Sequence, residues 1–455
     1  MSAPRWPVRP SHWTSHARAC DRARPCVPGR GRGWGHLPRR RCPGSGDGVS
    51  AGLVMVETED PVVVLGGGMA GGRAAEFLAM RGRGTRVVLV SDEDHRPYQR
   101  PPLSKESTWD DPVREELFFR DEEFYASKGV QLALGTRVEG LLPDSDVLIT
   151  NQGEKIAFSR LLIATGCRVR RLQVPGSDLR GVHYLRSIPD AKGLWDAVHG
   201  GGPVVVVGAG YVGCELAAVM AGLQVDVTVV EAGSEPLGIS LGAEVGAWVR
   251  SFHERRGVKF VTGRTVVHMD GEDRVGSVRL DDGTRLPAST VVVGIGVVPD
   301  VEWLSGSGVE IGDGILVNER CETSRPGVFA AGDAVRWTHP QYGSIRLEHE
   351  TNAQAQAVVA ARNILGGSTE YNHLPYVWSD QYGDTLEYVG YTRGWNEAVV
   401  QTDETSFTAA YLTGGAVAAV AAYARPDVIA LAKQVLSDGP VARELWRAAA
   451  KDLGV

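Results

Sequence analysis

The chain has 455 residues, with 48 lysines and arginines against 55 aspartates and glutamates, and 57 glycines. That length supports two or three domains, and no apolar run reaches 18 residues, so the sequence offers no bilayer-spanning helix. The net charge of −7 makes nucleic acid an unfavourable partner.

Residues 1–54 differ from the rest. They hold ten arginines and only two acids, Asp21 and Asp47, among frequent Pro and Gly without apolar periodicity. We read them as a disordered or mis-started leader, with Met55 as the natural start, in preference to an amphipathic transit peptide. The remainder then carries 38 basic and 53 acidic residues, a net charge of −15. Cys20, Cys26 and Cys42 lie in the leader, and Cys167, Cys214 and Cys321 lie far apart in the body, with no zinc spacing or disulfide framework. A soluble protein of the reducing cytoplasm is expected, without a metal.

From Pro61 apolar strands alternate with helical stretches. VVVLGGG, a helix through Met80 and then RVVLVSDED form one β-α-β unit. Gly66, Gly68 and Gly71 spell G-x-G-x-x-G: the first glycine permits the tight turn, the second lets a pyrophosphate approach, and the third lets helix and strand pack. Amides at the helix start favour anionic phosphate, and Asp92, closing the next strand, is placed to accept a ribose hydroxyl. LLIATG at 161–166 is another buried strand ending in a turn.

A second β-α-β unit begins at Pro203 and closes with VDVTVVEAG. Gly208, Gly210 and Gly213 repeat the glycine pattern, and Glu231 ends the following strand. A carboxylate there suits the ribose diol of NAD and repels a 2′-phosphate by roughly 1 to 4 kcal/mol, favouring NADH over NADPH. TVVVGIGVVPD ends near Asp300, and GVFAAGDAV follows at 327–335. Gly332-Asp333 would set a carboxylate beside a helix N-terminus, within reach of a ribityl chain; the plainer alternative is an Asp N-cap worth about 1 kcal/mol. From about His373 the texture shifts to short alternating segments, suggesting a small α+β domain with an antiparallel sheet.

Two cradles imply two dinucleotides, a resident FAD and a visiting NADH whose hydride passes to the flavin. Met69 and Ala70 inside the first turn and Tyr211 and Val212 inside the second join the candidate set, as do Val138, Ala164 and Gly296. The expected fold is α/β: two Rossmann-like dinucleotide-binding domains plus a small α+β C-terminal domain. The FAD domain takes 61–167 and 299–372, the NAD domain 168–298, and the last domain 373–455.

Several stretches in order carry a resemblance: DEDHRPYQRPPLSKE at 92–106, LLIATGCRVR at 161–170, the second cradle with VVE, GVFAAGDAV, RLEHETNA at 346–353 and YVWSDQYG at 376–383. From Pro61 to the C-terminus the chain resembles the FAD-dependent ferredoxin reductases that serve bacterial cytochromes P450 and aromatic-ring dioxygenases. Their wider group includes rubredoxin reductases and apoptosis-inducing factor. The resemblance implies electron delivery to a [2Fe–2S] ferredoxin that supplies a P450 or ring-hydroxylating oxygenase.

It also implies residue roles. Arg100 and Lys105 would contact FAD, with Lys105 near flavin N5 and paired with Glu215 close to the hydride-transfer point. Arg170 would reach the FAD pyrophosphate, and Thr165 and Gly166 would shape the adjacent turn. Glu348 and His349 would lie along the flavin ring, with Trp378 packed close to it. Without the resemblance, Lys105 and Glu215 read as a surface lysine and an exposed helix acid, and Trp378 as core.

Two spellings depart from the resemblance. Ile239 stands where related sequences usually have an arginine that helps hold the visiting dinucleotide, and RLEHETNA is closer to the apoptosis-inducing-factor spelling. That second departure keeps open an NADH-binding flavoprotein of that kind, or a diaphorase-like NADH dehydrogenase with a non-ferredoxin acceptor. A flavin disulfide reductase needs a cysteine near the flavin after the first β-α-β unit; none lies between Cys42 and Cys167, and Ser104 stands in that region.

Overall fold

The computed structural model describes residues 60–82, 84–107, 115–391 and 394–453; the leader expected at 1–54 lies outside them. At the centre of the first sheet is the strand Val62–Leu65, whose four residues are all buried. It pairs in parallel with Val87–Val90 on one side and Arg160–Ile163 on the other. Val130–Ala133 and Val328–Ala330 complete five parallel strands. Alternate side chains face opposite ways, so both faces need cover. Val62 and Val64 pack against the helices Met69–Arg81 and Glu350–Ile364, while Val63 and Leu65 pack against Leu141, Leu148 and Phe158. A valine run without polar alternation is the consequence of that double burial.

The same plan recurs. Val204–Val207 is central in a second parallel sheet with Val227–Glu231, Lys259–Thr262, Thr290–Val293 and Val182–His183. Helices Ile188–His199, Tyr211–Gly222 and Ala243–Glu254 cover one face. The antiparallel strands Val266–Gly271 and Val275–Leu280 cover the other. Where the chain leaves the first sheet and where it returns, Cys167–Val169 and Val297–Pro299 pair antiparallel.

The third sheet is antiparallel, ordered Tyr376–Gln381, Asp384–Gly390, Ala416–Tyr423, Phe407–Thr413, Glu397–Thr402. Helices Pro426–Val435 and Arg443–Ala450 pack on one face. The other face meets the second unit: Trp248 lies 5.1 Å from Phe407 and 5.4 Å from Tyr423, ring centre to ring centre. The fold is thus mixed α/β with two parallel Rossmann-like cores and an antiparallel third layer. The proposed division is 61–167 with 299–372, 168–298, and 373–455. Among the described residues no helix is long and apolar enough to cross a membrane.

Candidate active site

Both glycine turns follow the same steric logic. A Cβ on Gly66, at φ +118°, would lie 2.2 Å from the Ala164 carbonyl oxygen, and one on Gly71 1.8 Å from that of Gly66. In the second turn Gly208 and Gly213 meet the Gly294 and Gly208 carbonyls at 2.3 and 2.1 Å. The middle glycines differ. A Cβ on Gly68 would approach only the Arg100 side chain, at 3.5 Å, and one on Gly210 would meet nothing within 4 Å. The fold uses the outer glycines, and the middle ones face space for a ligand.

The helix starts are left open as well. Neither Met69–Arg81 nor Tyr211–Gly222 has a side-chain cap or an acid in its first turn. Elsewhere the chain does cap: Asp121 accepts from Phe124 N at 2.7 Å, and Ser187 with Asp190 forms a capping box. Uncapped N–H groups at a positive helix end are donors for phosphate. The residues present therefore fit a pyrophosphate in front of each helix.

A cavity of about 460 Å³ runs from the first turn to the start of the helix Tyr211–Gly222. The first unit supplies Gly66, Gly68, Met69, Ala70, Asp92 and Val138, then Arg100 and Lys105 from the short helical turn Pro101–Ser104 and its ends. Ala164, Thr165 and Gly166 line it from the strand end at 163, and Gly332, Asp333, Glu348 and His349 from the returning segment. Tyr211, Val212 and Glu215 reach it from the second unit, and Trp378 from the third sheet. Gly71, Gly208, Gly210, Gly213, Glu231 and Gly296 do not line this cavity. Gly71 and Gly213 instead close helix on strand.

Some expectations need revision. Arg170, expected at the pyrophosphate, is exposed and does not line the cavity; its backbone N donates to Gly296 O at 2.9 Å. It lies just past the Cys167–Val169 strand, where the pairing directs it to solvent. Arg186 and Arg346, which the sequence did not single out, are the arginines beside Asp333. Arg186 pairs with the Asp333 carboxylate at 3.4 Å, and Arg346 donates to the Asp333 carbonyl at 3.2 Å and to Glu348 at 2.6 Å. Gly332-Asp333 leads into a turn and the strand Val335–His339, not a helix, so the N-cap alternative falls. A Cβ on Gly332 would sit 3.0 Å from Ala70, which places this turn against the first helix start.

Charge is paired around the cavity. Arg100 bonds Glu93 at 2.5 Å and Tyr98 at 3.0 Å, and also the Arg186 carbonyl. Burial pushes the Glu93 carboxyl up, but Arg100 and the Tyr98 hydroxyl outweigh it and hold it below the usual carboxylate range. Asp92 is more open, 56% exposed and 3.6 Å from Arg137, so its oxygens stay available to a hydroxyl.

At the junction of the two turns Lys105 Nζ lies 2.8 Å from Glu215 Oε2 and 4.8 Å from the Trp378 ring centre. Glu215 is 4% exposed, which corrects its reading as an exposed helix acid. Ser104 Oγ donates to the same carboxylate, and Ser379 Oγ donates to its other oxygen at 2.7 Å. A buried carboxylate needs such donors. Behind Trp378, His349 Nε2 lies 3.2 Å from both the backbone N and the backbone O of Trp378; burial holds that imidazole down to about 4, so it is neutral at pH 7. Glu350 also lines the cavity with one buried, unpartnered oxygen, and burial, against the pull of Lys105, pushes its carboxyl up to about 7.

In the second turn both Glu231 oxygens are pinned, accepting from Ala209 N at 2.7 Å and Gly233 N at 2.6 Å. Nearby Arg264 is committed to Asp282 at 2.8 Å. Ile239 is 93% exposed and lines the cavity rim. Cys167 Sγ sits near the Asp333 carbonyl at 3.6 Å, but burial pushes its thiol up to about 12, which does not suit a redox nucleophile.

Residues 60–357 match the pyridine nucleotide-disulphide oxidoreductase model, and residues 376–453 match the reductase C-terminal model. The chain belongs to this family. Among these oxidoreductases it is 37% identical to the biphenyl dioxygenase system ferredoxin–NAD(+) reductase component of Paraburkholderia xenovorans (strain LB400), over 76% of this chain and 85% of that protein. It is 32% identical to putidaredoxin reductase of Pseudomonas putida, over 84% and 93%. The crystal structure of the ferredoxin reductase for the CYP199A2 system from Rhodopseudomonas palustris superimposes with a TM-score of 0.80 at 32% identity, covering 85% of this chain and 96% of that one. The family resemblance read from the motifs therefore holds across the oxidoreductase core and the C-terminal sheet.

Proposed function

We propose that the chain is an FAD-dependent NADH:ferredoxin oxidoreductase, passing hydride from NADH to FAD and then single electrons to a [2Fe–2S] ferredoxin that supplies a P450 or Rieske-type oxygenase. The observation that carries this reading is the single cavity reached by both uncapped helix starts, with Lys105 and Glu215 where they converge. Relatives named as ferredoxin reductases of dioxygenase and P450 systems support it over an acceptor of another kind.

When bound, FAD supplies two-electron acceptance and one-electron release. The first turn and Arg100 would hold its pyrophosphate, Asp92 its ribose, and Asp333 its ribityl hydroxyls. Glu231 would take the ribose diol of NADH. Lys105, fixed by Glu215 and lying over Trp378, sets the charge beside the reacting face. His349, neutral, buttresses the backbone of Trp378 without adding a second cation. Cys167, Cys214 and Cys321 are buried and burial pushes their thiols up, which does not suit a flavin disulfide reductase. We place the enzyme in the cytoplasm, where these buried thiols stay reduced.

The site assignment is tested by Lys105→Met and Glu215→Gln. Each is expected to lower the limiting rate of flavin reduction by NADH about tenfold, with FAD still bound. Rates equal to the parent's would contradict it.

A further inference from the structure

The Glu215 carboxylate is the end of a longer line of buried groups. Ser379 Oγ donates to Glu215 Oε1 at 2.7 Å, and Gln381 Nε2 donates to Ser379 Oγ at 3.2 Å. Gln381 Oε1 faces His253 Nε2 at 2.8 Å, and the Tyr382 hydroxyl faces His253 Nδ1 at 2.7 Å. Ser379 and His253 are 0% exposed and Gln381 is 3% exposed. The line crosses from the helix Tyr211–Gly222 to the edge strand Tyr376–Gln381 and back to the helix Ala243–Glu254.

The direction of every bond follows from the carboxylate. An ionised carboxylate only accepts, so the Ser379 hydroxyl must donate to it. Ser379 Oγ then accepts from the Gln381 amide nitrogen, which turns the amide oxygen toward His253. That oxygen needs a donor, so His253 carries its proton on Nε2. Its Nδ1 is left as an acceptor for the Tyr382 hydroxyl. Burial holds the His253 ring down to about 4, consistent with one proton on the ring at pH 7.

A second observation points to the same groups. Tyr382 and Gly383 are the two residues between the paired Gln381 and Asp384, at φ +56° and +87°. Such a corner favours Asn or Asp before Gly, because a bulky side chain at positive φ is strained. Tyrosine stands there, with its hydroxyl on His253 and its ring edge-on to Phe252 at 5.6 Å. Strain of this kind is kept where the surroundings use the side chain.

We propose that Tyr382, His253, Gln381 and Ser379 form a one-way hydrogen-bond chain that positions the Glu215 carboxylate for hydride delivery to the flavin. This rests on the reading of Glu215 and Lys105 as the pair at the transfer point. The chain fixes one carboxylate oxygen from the C-terminal sheet while Ser104 and Lys105 hold the other from the first unit. The four members are positioning residues: Glu215 and Lys105 line the cavity, and Ser379, Gln381, Tyr382 and His253 do not.

The test is anaerobic stopped-flow reduction of the FAD-loaded full chain by NADH, with limiting rate and half-saturating NADH measured separately. Ser379→Ala is expected to lower the limiting rate about tenfold and Tyr382→Phe to a smaller extent, both with unchanged half-saturation. Each removes one hydroxyl and keeps the packing. His253→Leu should match Ser379→Ala, and His253→Gln, which restores a donor toward Gln381, should recover most of the rate. A second readout needs no turnover: in ¹⁵N-histidine spectra of the oxidised holoenzyme, His253 should be the single Nε2–H tautomer and should become mixed in Ser379→Ala. Limiting rates within about twofold of the parent in both hydroxyl variants, or an Nδ1–H tautomer in the parent, would overturn the proposal. If Glu215→Gln slows reduction in that case, the chain alone is refuted; if it does not, the reading beneath it fails too.

Discussion

At the residue scale, two carboxylates are distinguished by their surroundings and not by their type. Glu231 is fixed by two backbone N–H groups at the end of its strand, and Arg264 is committed to Asp282. Glu231→Gln keeps an acceptor and removes the charge, so the preference for NADH over NADPH, measured as a ratio of kcat/KM values, should fall about tenfold. Glu350 is the opposite case, held up at about 7 by burial. Between the ordinary carboxylate value of 4.5 and that value the folded protein keeps a proton the unfolded chain has lost. Its contribution to stability therefore declines as pH rises through this window. Glu350→Gln should be more stable than the parent at pH 8, by on the order of 1–3 kcal/mol, and so unfold at a higher temperature, with the difference vanishing near pH 4.5; thermal melts at the two pH values check it.

At the scale of elements, the glycine turns were legible in the sequence because the G-x-G-x-x-G spacing is local. A Cβ on Gly71 would meet the Gly66 carbonyl within the turn, and one on Gly66 would meet the Ala164 carbonyl at the end of the adjacent strand. That gives a contrast between neighbours. Gly71→Ala should destabilise the first unit by several kcal/mol, on the order of an overpacked core position, and lose soluble protein. Gly68→Ala should melt like the parent but hold FAD more weakly, read by equilibrium dialysis. What the sequence hid was non-local. Arg186 and Arg346 reach Asp333 from separate segments, and Ser379 meets Glu215 across 164 positions. Neither contact has a spacing rule. Arg170 was drawn to the site by its motif position, whereas the strand before it turns it to solvent. The antiparallel strands on the far face of each parallel sheet also went unread, because bulges at Val266/His268, Asp270/Gly271 and Val138/Gly140 break their apolar alternation.

At the scale of the whole molecule, the duplicated β-α-β unit was readable from composition and periodicity, and the third sheet from its change of texture. How they face one another was not. That arrangement comes from packing: Trp248 and Phe252 of the second unit pack against Phe407 and Tyr423 of the third sheet. It brings Trp378 over Lys105 and both over the place where the two helix starts converge. The central claim is that these two nucleotide sites and one protein acceptor form a single electron path. The most direct measurement is two-stage anaerobic mixing of the yellow holoenzyme, first with NADH and then with an oxidised [2Fe–2S] ferredoxin from an oxygenase system. The account predicts that NADH bleaches the flavin absorbance and that the ferredoxin is then reduced by the bleached enzyme within the turnover time. A flavin that stays oxidised under NADH, or a reduced flavin that leaves every such ferredoxin oxidised, would contradict it.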